Sequence, residues 1–270
     1  MPKQLELEIL PQPDDTSCGP TCLHAIYRYF DDHLPLEEVI QQAGALDTGG
    51  TLGVLLGCHA LRRGYKVTIY TYNLSVFDPT WFEGRIVTAP QPPEPDQDKP
   101  TKKLKGRPCV DLIANLRAQM AVKHVPRLQI ASEAYIEFLQ LGGNIRMRDL
   151  NASLVREYLK RWQPILTGLS ATYLYHAPRE HGRNCTPDSI RGEPAGHFVV
   201  LCGYDKQRKT VRVADPYLPN PLAEDHYYEV ELDRLVCAIL LGVLTHDANL
   251  VMIEPRRKTY RGSQDGNEQQ

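Results

Sequence analysis

The sequence predicts an α+β protein, a helical N-terminal part packed on a C-terminal antiparallel sheet. Two observations lead there: apolar residues recur at helical spacing through most of the chain up to Trp162, and β-forming runs dominate from Ile165 onward. A third supports it, because 270 residues with 42% hydrophobic and 24% charged side chains suffice for a buried core and suit neither a fibre nor a disordered chain.

In chain order, Leu5, Leu7 and Ile9 alternate with Glu6 and Glu8, which predicts a half-buried strand ending at Pro11. After the loop 12–17, Leu23, Ile26, Tyr27 and Phe30 fall at i, i+3, i+4 and i+7. A helix therefore starts near Cys18, with Pro20 in its tolerant first turn. Helices are expected at 36–43 and 51–63, the latter closed by Gly64, and a strand around 67–70. Helical patterns return at 111–122, 132–141 and 151–162. Pro164 halts the last of these, and 165–175 is rich in β-formers. A polar loop at 176–195 leads into the apolar strand 196–201, which turns at 205–209 into a second strand, 210–214. Further strands are expected at 227–232 and 250–253. Residues 1–255 read as one domain with a mobile Pro-rich insertion at 90–108, and 256–270 as a disordered polar tail.

Composition removes several function classes. Lys plus Arg number 31 and Asp plus Glu 33, a formal charge of −2, which gives no electrostatic case for binding nucleic acid. The longest nearly apolar stretch, 238–244, is far shorter than the roughly 20 residues a membrane helix needs. Residues 1–10 show no basic flank leading into an apolar run, so no secretory signal is expected, and a cytoplasmic location follows. Seven unevenly spread cysteines argue for reduced thiols with one in use.

Cys18 has the setting of that one, because a helix N-terminus favours a negative sulfur, and Gly19 beside it leaves room for a substrate carbonyl. His197 opens an apolar strand that holds an imidazole rigidly, and Asp215 ends the neighbouring strand, so one hairpin brings both to one rim. Gln12, six residues before Cys18, is placed to donate to the oxyanion that the Cys18 N–H also faces. On this reading Asp215→Asn is milder than Asp215→Ala, since an amide oxygen still accepts from the imidazole. Cys22, one helical turn on, reads as core. Cys58 and His59 are adjacent on a helix and cannot face each other as nucleophile and base. Asp205 lies in the hairpin turn, at the wrong end; Asp14 and Asp15 suit either a helix cap or a basic substrate group. His176 and His181 are candidates for substrate contact, and Leu141-Gly142-Gly143 reads as a loop.

The segments Gln12-Pro13-Asp14-Asp15-Thr16-Ser17-Cys18-Gly19-Pro20-Thr21-Cys22, Gly196-His197-Phe198-Val199-Val200-Leu201 and Asp215-Pro216-Tyr217 resemble the papain-like cysteine peptidases. Within these they are similar to the bacteriocin-processing, double-glycine group and its stand-alone relatives. The resemblance implies a papain-like fold with Cys18 as nucleophile, His197 as general base and acid, Asp215 as its orienting partner and Gln12 in the oxyanion hole. It implies a peptide or protein-tail substrate and no metal or organic cofactor. The stretch 77–141 has no counterpart in it, and the insertion is a candidate lid or partner surface. Acyl transfer to an amine through the same thioester, or a catalytically inactive peptide-binding module, are the alternatives.

Overall fold

The computed structural model describes residues 3–44, 50–83, 85–86, 109–182, 184–245 and 247–256. The expected insertion at 90–108 and the tail beyond Arg256 lie outside the described residues.

The chain opens with β1 (Lys3–Gln4), then α1 (Cys18–Tyr29), α2 (Leu36–Gln42), α3 (Gly53–Arg62) and β2 (Lys66–Thr71). Two short strands, β3 (Arg85–Ile86) and β4 (Cys109–Val110), pair in parallel ahead of α4 (Leu112–Val122), α5 (Pro126–Gln140), β5 (Asn144–Arg146) and α6 (Ala152–Leu159). There follow β6 (Ile165–Ser170), α7 (Ala171–Tyr175), the small hairpin β7 (Glu180–His181) and β8 (Thr186–Pro187), and β9 (Gly196–Asp205). The chain ends with β10 (Thr210–Ala214), β11 (Tyr227–Glu231), α8 (Leu232–Leu241) and β12 (Asn249–Glu254). The class is α+β: one sheet of order β11-β10-β9-β6-β12-β2-β5, antiparallel except where β2 meets β5, with β1 added beside β9.

Helix α1 docks on β9 through its predicted stripe. Leu23, Ile26 and Tyr27 are fully buried, each contributing about 1.5–3 kcal/mol of transfer free energy, and the Cys22 thiol donates to the Phe198 carbonyl at 3.2 Å. Central strand β9 is buried from His197 to Tyr204, as its continuous apolar run requires.

Several expectations are corrected. Residues 5–9 alternate buried and exposed as predicted, yet form no strand: Leu5 N–H donates to the Cys202 carbonyl, and from Leu201 back to Gly196 β6 occupies that edge of β9. The β-rich run 165–175 splits because the Ser170 hydroxyl accepts from the Tyr173 N–H and starts α7. Helix α5 begins at Pro126 in its first turn, not at 132. Helix α6 stops at Leu159, and Trp162 adopts a φ of 59°. Helix α8 was not anticipated, although Leu232, Leu235, Val236 and Ile239 carry its i, i+3, i+4, i+7 signal. Parallel β5 was also missed; three residues with one buried side chain leave no periodicity to read.

One irregularity decides the site. The β9–β10 register pairs Arg212 with Gly203 but Val213 with Leu201, so Cys202 is the extra residue of a bulge. Past the bulge, Ala214 stands opposite Val200. The next residue, Asp215, therefore shares the face of Val199 and His197; without the bulge it would point to the other face of the sheet.

Candidate active site

Cys18 is the first residue of α1, and no side chain caps that helix: the Ser17 hydroxyl turns back to the Asp14 carbonyl at 3.1 Å. The positive end of the α1 dipole thus meets the Cys18 side chain. Asp14 does not cap α1. Its Oδ1 accepts from the N–H and hydroxyl of Thr16, at 2.8 and 2.7 Å, and these bonds hold its pKa below the usual value.

Gly19 is where the structure changes the sequence reading. A Cβ there would lie 2.6 Å from Thr51 Cγ2, 3.1 Å from Leu56 Cδ1 and 3.2 Å from Phe198 Cδ2. The missing side chain lets α1 press onto α3 and β9, and the space is filled by protein, not left for a substrate.

His197 pairs with Leu169 of β6 and presents its ring at the rim of the sheet. Its Nε2 donates to Asp215 Oδ1 at 2.8 Å, and the ring lies near enough to Cys18 for the charge of the sulfur to act on it. Burial opposes a charge on this imidazole, but the Asp215 carboxylate with its hydrogen bond and the charge of the Cys18 sulfur outweigh it and raise the pKa above the ordinary histidine value. Asp215 is fully buried, which by itself would raise its pKa; the facing imidazolium and donated hydrogen bonds win and lower it. Both shifts favour the ionised pair.

Asp215 has further partners that sequence spacing did not signal. The Tyr217 N–H donates to Oδ1 at 3.0 Å, and the hydroxyls of Tyr175 and Tyr228 each donate to Oδ2 at 2.7 Å. Its backbone is fixed by Asp215 N–H to the His226 carbonyl and by the His226 ring to the Asp215 carbonyl. The rings of Tyr175 and Tyr217 each lie 6.1 Å from the imidazole. Only the inward alternation of Tyr228 and Val230 on β11 was available as a sequence cue.

Gln12 lies close by, its N–H donating to the Pro216 carbonyl at 2.9 Å. Its side-chain amide donates to the Asp14 carbonyl at 2.9 Å, and its buried Oε1 has no hydrogen-bond partner. Cys22 is core: burial pushes its thiol well up, and its hydrogen goes to Phe198. His59 is satisfied by the Tyr27 hydroxyl at 2.7 Å and Gln42 at 3.2 Å, and Cys58 is buried against α5. Asp205 accepts from the N–H groups of Gln207 and Arg208 and closes the hairpin turn, as its position suggested. Among the described residues no group of three or more His, Cys, Asp and Glu has the geometry to hold a metal, and no helix is long and apolar enough to cross a membrane.

The model of the Peptidase_C39 like family matches residues 118–233, a segment that includes His197 and Asp215 and leaves Gln12 and Cys18 outside. No curated protein matches the chain. Among solved structures, the chain is similar to a putative C39-like peptidase from Bacillus anthracis, at 12% identity and a TM-score of 0.45, covering 96% of this chain and 100% of that one. It is also similar to xylellain, a cysteine protease from Xylella fastidiosa, at 15% identity and a TM-score of 0.41, covering 95% and 86%. A third is a double glycine motif protease from an AMS/PCAT transporter in complex with the leader peptide, at 10% identity and a TM-score of 0.40, covering 94% and 97%. The resemblance to C39-like cysteine peptidases stands on the family match, and the roles of individual side chains rest on the geometry of this site.

Proposed function

We propose that the protein is a thiol peptidase acting on a peptide or an exposed protein tail. The observation that carries this reading is an imidazole bonded to a fully buried carboxylate and close enough to a thiol at the start of a helix to feel its charge. With Nε2 bound to Asp215, Nδ1 is the nitrogen left for Cys18. His197 accepts the Cys18 proton, and the sulfur attacks the amide carbonyl carbon, forming a C–S bond. His197 then gives that proton to the nitrogen as the C–N bond breaks. Water, deprotonated by His197, resolves the thioester to acid and free thiol.

In this scheme the Cys18 N–H and the Gln12 amide receive the oxyanion. Gln12 retains one amide hydrogen beyond its bond to Asp14, and one such donor is worth about 100 to 1,000-fold in rate. Free thiols at Cys18, Cys22, Cys58, Cys185, Cys202 and Cys237 suit a reducing compartment, and we place the protein in the cytoplasm.

Limited alkylation with iodoacetamide at pH 6, mapped by peptide mass spectrometry, tests the assignment. Cys18 should be modified ahead of the exposed Cys185 and Cys237 despite its burial. Labelling in plain order of exposure would sink it. Incubation with a peptide mixture should then leave an acyl adduct on Cys18, and adding a nucleophilic amine separates hydrolysis from transfer by the product formed.

A further inference from the structure

We infer that Tyr175 and Tyr228 are positioning residues, whose two phenol hydroxyls lock the Asp215 carboxylate in one orientation and, through it, hold the His197 imidazole toward Cys18. The inference rests on the thiol-peptidase reading of the site.

The carboxylate accepts four hydrogen bonds, divided by oxygen. Oδ1 takes His197 Nε2 and the Tyr217 N–H, while Oδ2 takes both phenols at 2.7 Å. The two phenols come from separate elements. Tyr175 ends α7, and Tyr228 sits on β11 opposite Val213 of β10, the strand that leads into Asp215. A carboxylate anchored at Oδ2 from two separate elements cannot turn about its Cβ–Cγ bond without losing two charge-assisted bonds, so Oδ1 stays aimed at the imidazole. Both phenols remain donors throughout the neutral range: burial raises their pKa values, and the Asp215 charge raises them further. The titratable groups facing Asp215 are His197 on β9, Tyr175 on α7, Tyr228 on β11 and Cys22 on α1. Of these only His197 balances its charge, and the phenols supply two of the four hydrogen bonds that keep the buried anion solvated.

The test is the rate of Cys18 alkylation by iodoacetamide between pH 4 and 8, read by peptide mass spectrometry, in the full chain and its Tyr175→Phe, Tyr228→Phe and doubly substituted forms. Phenylalanine keeps each ring, including the packing of Tyr175 on Tyr217 at 6.3 Å, and removes only the donor. Losing one hydrogen bond to a charged acceptor corresponds to about tenfold. Each single variant should label Cys18 up to about tenfold more slowly at pH 5, and the acid limb should move upward, because a carboxylate free to turn away from Nε2 supports the imidazolium less. A purely structural role lowers the melting temperature and leaves the pH profile in place. Profiles that superimpose on the parent's therefore overturn the inference while leaving the peptidase reading intact. A parent protein in which Cys18 is not the most reactive thiol overturns the reading and the inference together. Should the double variant fail to fold, the single variants carry the comparison.

Discussion

Replacing Asp215 with Asn separates charge from orientation at the centre of the site. The sequence alone suggests that Asn is the gentler change. The structure argues otherwise, because the carboxylate uses both oxygens as acceptors and meets donors on all sides. An amide offers one acceptor. If its oxygen faces His197 and Tyr217, its NH2 faces two phenols whose hydrogens must swing away from it, in a place where Tyr228 is only 8% exposed. If it is flipped, the NH2 opposes the Tyr217 N–H and an imidazole Nε2–H. Either way the imidazolium loses its counter-charge, and removing one partner of a buried ion pair costs about 3–5 kcal/mol. If most of that falls on the thiolate–imidazolium form, at about 1.4 kcal/mol per tenfold, the rate of Cys18 alkylation at pH 6 should fall about 100 to 1,000-fold. Asp215→Ala should lie within about tenfold of Asp215→Asn. The assay is single-turnover labelling with iodoacetamide, with urea denaturation run in parallel to establish folding. An Asn variant within threefold of the parent would refute the argument and make orientation, not charge, the contribution of this position.

Four further outcomes are expected. Cys18→Ala should abolish acyl-adduct formation with little change in melting temperature, whereas Cys22→Ala, which removes a fully buried thiol bonded to the Phe198 carbonyl, should keep the adduct and lose about 1–2 kcal/mol in urea unfolding. Gly19→Ala should destabilise by about 1–3 kcal/mol through the 2.6 Å clash with the Thr51 methyl, less what alanine gains in helix propensity, and adding Thr51→Ser, which keeps the hydroxyl and deletes the methyl, should recover most of the loss in a double-mutant cycle. The stability supplied by the His197–Asp215 pair is bounded on both sides. The lowered Asp215 pKa makes its share full above the ordinary carboxylate value and lost as pH falls through the folded one, while the raised His197 pKa makes its share full below the ordinary imidazole value and lost as pH rises through the folded one. The stability gap between parent and Asp215→Ala should therefore be widest between about pH 4 and 6.5; a gap independent of pH contradicts the ion pair. Lastly, Asp247 is buried with the Gly53 N–H as its donor at 2.8 Å, and burial raises its pKa to about 7, so its folded form binds a proton that the unfolded chain has released above about pH 4. Stability should fall by up to about 4 kcal/mol from pH 4 to 7, and Asp247→Asn, which still accepts from Gly53, should flatten that slope in urea titrations.

Much of the helical half was legible because its signals are local. The stripe of Leu23, Ile26 and Tyr27, Pro20 in the first turn of α1 and Gly64 after α3 each act within a few residues. The misreadings at residues 5–9 and at Gly19 involve competition between distant segments. Residues 5–9 have the alternation of a strand, but whether they pair depends on which neighbour reaches β9 first, and β6 holds that edge. Gly19 was visible as a small residue; that Thr51 and Phe198 fill the space around it was not.

The candidate site divides the same way. Residue type and local setting sufficed to mark Cys18 at a helix start, His197 on an apolar strand, Asp215 at a strand end and Gln12 in the preceding loop, since each preference is carried by its own few neighbours. The pairing of His197 with Asp215 was decided elsewhere. A one-residue bulge at Cys202 selects the face on which Asp215 emerges, and Tyr175 and Tyr228 converge on its second oxygen from a helix and a strand that lie far apart in the chain. Registers and convergences of this kind depend on sums of many weak contacts across the sheet, which no short stretch of sequence encodes.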